Sequence, residues 1–107
     1  MIKISIMYPN QTHARFDMAY YLRTHMPMSI ERMSASTGFG GVSVERGVGG
    51  DAPGSAPTYV AMCHYLFDSL EDFLAAFNHH ADLLQGDMAS YTDIKPVIQV
   101  SQVEIVA

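Results

Sequence analysis

The order of elements legible in this sequence, strand–helix–strand–strand–helix–strand, predicts an α+β domain. Its expected form is a split βαβ arrangement, a four-stranded antiparallel sheet with both helices on one face. Three observations carry this. The chain opens with Ile2, Ile4, Ile6 and Tyr8 alternating with Lys3, Ser5 and Met7. Two helix-capping residues, Asp17 and Ser69, each precede a run with helical spacing. The run from Tyr59 to Phe67 is apolar on both of its faces. Residues 1–107 read as one domain, of a size that buries roughly two-thirds of its unfolded surface.

The opening alternation is a strand with one strongly apolar face, ended by Pro9-Asn10. Asp17 is an N-cap whose side-chain oxygen accepts from the free amides of the first turn, and Phe16 and Tyr21 stand at the staple positions either side of it. On a helix that starts there, Met18, Tyr21, Leu22 and His25 share one face, the face expected to turn inward. Pro27 cannot donate an amide to the Arg23 carbonyl, so the helix is expected to end or bend two residues after the histidine, resuming through Ile30 and Met33. Gly38, Gly40 and Gly41 break the pattern, and residues 42–46 form a second alternating strand.

Residues 47–58 are rich in Gly, Pro, Ser and Ala. They lack the Gly-Lys-Ser/Thr ending of a phosphate-binding loop and precede a strand, so they read as a hairpin loop. In the third strand Tyr59, Ala61, Cys63, Tyr65 and Phe67 point one way, and Val60, Met62, His64 and Leu66 the other. Ser69 then caps the second helix, with Asp72 three residues on as in a capping box. Leu70, Phe73, Leu74 and Phe77 are its expected buried stripe, and His79-His80 with the segment to Gly86 reads as a frayed end or a short additional turn. The last strand changes phase. Ile98 and Val100 are even-numbered, Val103 and Ile105 odd, which requires a bulge or a change of partner.

Two helices cover only one face of such a sheet, yet the third strand is apolar on both. The expected cover is a second copy in an isologous homodimer, with the late half of the last strand paired to the other subunit. A net charge of −5 with six scattered basic residues argues against a nucleic-acid surface or a polybasic membrane patch. Residues 52–67, the longest stretch without a charge, are too short to span a membrane. The single cysteine, Cys63, cannot form an internal disulfide, and no signal peptide precedes the first strand, so a cytoplasmic, reducing location is expected.

Tyr20-Tyr21 followed by His25-Met26-Pro27 is the most distinctive run in the chain. Together with Ile4-Ser5-Ile6-Met7-Tyr8-Pro9, Phe16-Asp17-Met18, Gly86-Asp87, Tyr91-Thr92 and Pro96-Val97-Ile98-Gln99-Val100-Ser101, it resembles the EthD family over nearly its whole length. That family is named for a member needed in bacterial ethyl tert-butyl ether degradation. The resemblance implies a ferredoxin-like domain that joins a second copy as a dimeric α+β barrel. It also implies the company of small cofactor-free monooxygenases, lactone isomerases, polyketide cyclases and some haem-handling proteins, with an oxidoreductase association. A small hydrophobic molecule would bind between sheet and helices, and no cofactor is expected.

In that setting the first helix places Tyr21 and His25 in the pocket, with Leu22 beside them. His64 enters it only if its strand face is the helix-facing one, and Tyr91 is expected to close the mouth. The expected chemistry has His25 acting as general base or acid on a weakly acidic phenol or carbon, while Tyr21 or Tyr91 donates to the developing oxyanion. The alternative is a non-catalytic dimeric module that binds a small molecule or a partner, since an inward histidine also serves as a plain structural residue. No metal site is expected: His25 has only Tyr21, Leu22, Met28 and Ser29 as helical neighbours, and His79 and His80 diverge by about 100°. Haem would draw on His64 or His25, and no spacing supports it.

Overall fold

Burial of alternate residues organises one sheet in the computed structural model, which describes residues Met1–Ala107. Strands β1 (Ile2–Pro9), β2 (Phe39–Arg46), β3 (Tyr59–Phe67) and β4 (Val97–Gln102) lie in the order β2-β3-β1-β4. All neighbours are antiparallel. Register pairs Ile6 with Cys63 on one side and Ile98 on the other, and Ile4 with Tyr65 and Val100. Paired residues share a face. The even residues of β1 and β4 and the odd residues of β3 therefore share the helix-side face, and Ser5, Met7, Met62 and His64 lie on the open side.

Helix α1 is continuous over three segments, Met18–Tyr20, Tyr21–His25 and Met26–Ser34. Asp17 caps it, accepting from the Tyr20 amide at 3.0 Å. The middle segment is a π turn in which the Met26 amide reaches back to the Tyr21 carbonyl. The bend expected at Pro27 is taken up by this wider turn, so the helix carries on instead of ending. Its consequence is positional: Tyr21 and His25 are both buried, with their rings stacked at 6.0 Å between centroids.

Helix α2 (Leu70–Gly86) starts on Ser69, whose hydroxyl accepts from the Asp72 amide at 3.1 Å. Gly38 adopts φ +83°, and a Cβ there would collide with the Asp72 side chain, so this close approach needs glycine. The fraying expected at His79 does not occur. The buried stripe instead runs through Phe73, Ala76 and Leu84, and Leu84 anchors the last turns. Leu74, one residue round from Phe73, and Leu70, at the helix start, are partly exposed.

A single 3₁₀ turn (Met88–Ser90) and a short link lead to β4. Beyond Gln102 the chain leaves the sheet after one bond from the Val103 amide to the Met1 carbonyl. Ile98, Val100, Ile105 and Val106 are all exposed, so the phase change coincides with the end of in-chain pairing. No helix is long and apolar enough to cross a membrane.

Candidate active site

Between the helices and the covered sheet face lies a cavity of about 320 Å³, and thirteen of its 18 lining residues are apolar. Its polar lining is concentrated where α1, β1 and the segment after α2 converge. His25 Nδ1 is 2.9 Å from Asp87 Oδ2, and the Tyr20 hydroxyl donates to the other Asp87 oxygen at 2.7 Å. The Tyr8 and Tyr91 hydroxyls are bonded at 2.7 Å, and the Tyr91 hydroxyl lies 3.4 Å from His25 Nε2. The carboxylate accepts, so Nδ1 carries the proton and Nε2, the nitrogen nearest the Tyr91 hydroxyl, keeps its lone pair.

Burial raises the Asp87 carboxyl pKa, but the hydrogen bonds from Tyr20 and His25 outweigh it, and the group ends below its ordinary value. Burial is the leading cause of the shifts at Tyr21 and Tyr91. Tyr21 and Tyr91 are raised well above the usual tyrosine range by desolvation, reinforced by neighbouring acidic groups. Both therefore remain donors. Tyr21 is the sharper case, because its hydroxyl is buried and has no hydrogen-bond partner in the chain. A buried donor left unpaired costs about 1–3 kcal/mol. Burial also pushes the Cys63 thiol up to about 12, which makes it a poor nucleophile.

The structure brings together Tyr21, His25 and Tyr91 from the sequence-based set. Tyr91 is fully buried beside the imidazole, at 4.5 Å between ring centroids, and not at the mouth. Leu22 is 40% exposed and outside the cavity lining, because the wide turn rotates it away from Tyr21 and His25. His64 lies on the open face of the sheet, bonded to Ser5 and Glu45. Asp87 and Tyr8 join this hydrogen-bond network without having been singled out by periodicity. One local signal pointed to Asp87: it sits at the C-terminal cap of α2, where the helix dipole disfavours a carboxylate. Such a conflict with a local rule is a mark of function.

The EthD domain matches residues 9–95 of the chain. An EthD-like protein from Ralstonia eutropha JMP134 superposes with a TM-score of 0.89 at 45% identity, covering 97% of this chain and 92% of that one. An ethyl tert-butyl ether degradation (EthD) family protein from Bacillus halodurans C-125 superposes at 0.72 with 17% identity, covering 97% and 99%. A candidate monooxygenase from Shewanella loihica PV-4 shares the fold at 0.63 and 11% identity, covering 98% and 95%. No curated protein matches the chain.

Proposed function

Since the chain belongs to the EthD family, we propose that its cavity binds a small hydrophobic metabolite and moves a proton on it. The observation that carries this reading is the His25–Asp87 pair behind an apolar cavity, with Nε2 as the imidazole nitrogen left to act. His25 takes a proton from a phenol or from a carbon next to a carbonyl. Asp87 fixes the tautomer and stabilises the imidazolium that forms, while the Tyr21 hydroxyl donates to the oxygen on which negative charge develops. The chain's own residues suffice for this step. A carbanion or phenolate formed this way is the shared first intermediate of isomerisation, cyclisation and oxygenation, which suits an enzyme or accessory in oxidative catabolism of ethers, aromatics or polyketides. Free, buried Cys63 suits a reducing, cytoplasmic setting.

We propose further that the protein works as a homodimer closed over the open sheet face. The apolar side chains Met7, Met62 and Val97 share that face, and the exposed Ile105 and Val106 follow β4 in the chain.

A second reading, a non-catalytic dimeric binding module, draws on the 3.4 Å approach of the Tyr91 hydroxyl to Nε2. If that contact tightens in solution, both imidazole nitrogens are satisfied and none is free to exchange a proton. The two readings separate in deuterium exchange at the α-carbons of 2-tetralone, a small apolar ketone, followed by NMR in D₂O. Catalysis predicts that the protein accelerates exchange and that His25→Ala loses about 10²–10⁴-fold of the acceleration. Binding of 2-tetralone with no acceleration, or an unchanged rate in His25→Ala, would leave the binding module.

A further inference from the structure

We infer that the ligand of this cavity is an amphiphilic acid, an apolar body of one or two rings with a carboxylate at its outer end, selected by Lys95. This rests on the reading of the cavity as a small-molecule site and extends it to the class of molecule. The cavity volume, about 320 Å³, is at the small end for ligand pockets and suits one or two rings.

The charge around the cavity is one-sided. The chain carries 11 acidic residues against six basic ones, yet no Asp or Glu is among the 18 lining residues, and the one lining side chain with a permanent charge is Lys95. The ion pairs of the protein are His25–Asp87 and His64–Glu45, so the Lys95 ammonium has no carboxylate partner. Its backbone position is fixed. On one side Ile94 is 3% exposed, and its amide donates to Thr92 Oγ1 at 3.0 Å. Thr92 Oγ1 in turn donates to the Arg15 carbonyl at 2.7 Å, and the Arg15 amide donates to Asp93 Oδ1 at 2.8 Å. On the other side Pro96, also a lining residue, restricts the entry to β4. Lys95 itself is exposed, and an unpaired cation on a fixed stretch of backbone at the edge of an apolar cavity attracts anions, most strongly in a protein that is negative elsewhere.

The inner end of the cavity sets the orientation. The Asp87 carboxylate already stands behind His25, so a second carboxylate placed there would meet a like charge and lose its hydration. At the Lys95 end the anion keeps part of its water and gains a charge-assisted contact. The unpartnered Tyr21 hydroxyl supplies the complementary inner pole, a donor for a phenol, enol or carbonyl oxygen. The ligand class that satisfies both ends is a hydroxyaryl or oxo carboxylic acid.

The test is calorimetric titration of the full protein with 6-hydroxy-2-naphthoate and with its near-isosteric neutral amide, 6-hydroxy-2-naphthamide, in wild type, Lys95→Met and Lys95→Arg. The wild type is expected to prefer the acid by about five- to tenfold at low salt, between the values for exposed and desolvated charge contacts. Added salt should narrow that preference. Lys95→Met should abolish the preference with amide binding unchanged, and Lys95→Arg should retain it. Equal affinity for acid and amide in the wild type, or an equal loss of both in Lys95→Met, overturns the inference and leaves the small-molecule site standing. Failure of both probes to bind overturns the site and the inference together, and binding of the amide without the acid overturns the inference alone.

Discussion

His25 and His64 each hold a carboxylate, on opposite faces of the same sheet, and the comparison separates a pairing from a site. His25 Nδ1 meets Asp87 at 2.9 Å, and His64 Nε2 meets Glu45 at 3.3 Å. His64 also has Ser5 Oγ 2.6 Å from its Nδ1, so by residue type alone Ser5–His64–Glu45 looks like the more complete catalytic row. None of the three lines the cavity, and they sit on the sheet face turned away from it. His25 has the cavity, the buried tyrosines and an unpaired donor beside it. What distinguishes the two is the space next to the imidazole.

The largest effect should appear when each histidine is removed in turn. With 2-tetralone exchange as the readout, His25→Ala should lose about 10²–10⁴-fold and His64→Ala less than about twofold. Asp87→Asn should fall nearer to His25→Ala, because an amide no longer enforces the tautomer that leaves Nε2 unprotonated. A large loss in His64→Ala with a normal fold by circular dichroism would transfer the chemistry to the open face.

The open face should in turn dominate association. Met62 lies on it, opposite Glu45 in β2 and Met7 in β1. Met62→Lys should weaken the homodimer on the order of 100-fold in sedimentation equilibrium, the scale of a central contact replaced by an unpaired charge. It should leave 2-tetralone binding in place. A wild-type monomer at all concentrations would remove the cover assigned to this face.

The two faces also differ in how they meet alkali. Tyr8, Tyr21, Tyr65, Tyr91 and Cys63 all belong to the covered side, and burial raises every one of them, Cys63 from 9.0 to about 12. A group whose folded pKa exceeds its unfolded one contributes stability that is complete below the unfolded pKa and lost as pH rises toward the folded one. Urea midpoints should therefore hold up to about pH 9 and fall steeply from there to about pH 12, with phenolate absorbance rising at unfolding. Phenolate signals from four tyrosines near pH 10 in the folded state would mean that the cavity wall is wet. Asp87 works the other way: its lowered pKa adds stability above the carboxylate range that is lost as pH falls through it.

Much of this architecture was legible because it follows from periodicity and caps. Asp17 and Ser69 cap as expected, and the Ala61, Cys63, Tyr65 and Phe67 face of β3 is buried while its other face is half-buried. Which face of β3 met the helices was not legible, since both are apolar and only register with β1 decides it. That ambiguity is why His64 stood beside Tyr21 as a candidate. Leu22 failed for a different reason: helical spacing assumes 3.6 residues per turn, and the π turn before Pro27 changes the phase at that point. Tyr8 and Asp87 lie far from His25 in sequence and join it only through the fold, so the network that defines the site carries no local spacing to read.

The smallest effect bears on the Tyr21 hydroxyl, and Tyr65 on the same side of the sheet is its control. The Tyr65 hydroxyl is paired with Ser29, whereas Tyr21 is equally buried and unpaired. Tyr65→Phe should cost about 1–2 kcal/mol in urea unfolding, because it breaks a bond and strands the serine. Tyr21→Phe breaks no bond in the free protein and removes a desolvated donor, so it should be neutral or stabilising by up to about 1 kcal/mol. The same change should slow 2-tetralone exchange by roughly 10²-fold, the scale of one oxyanion donor. Opposite signs in stability and rate at one hydroxyl are what a donor kept for a ligand must show. Equal destabilisation by the two substitutions would mean that Tyr21 already has a partner in solution, and its role at the oxyanion would fall with that result.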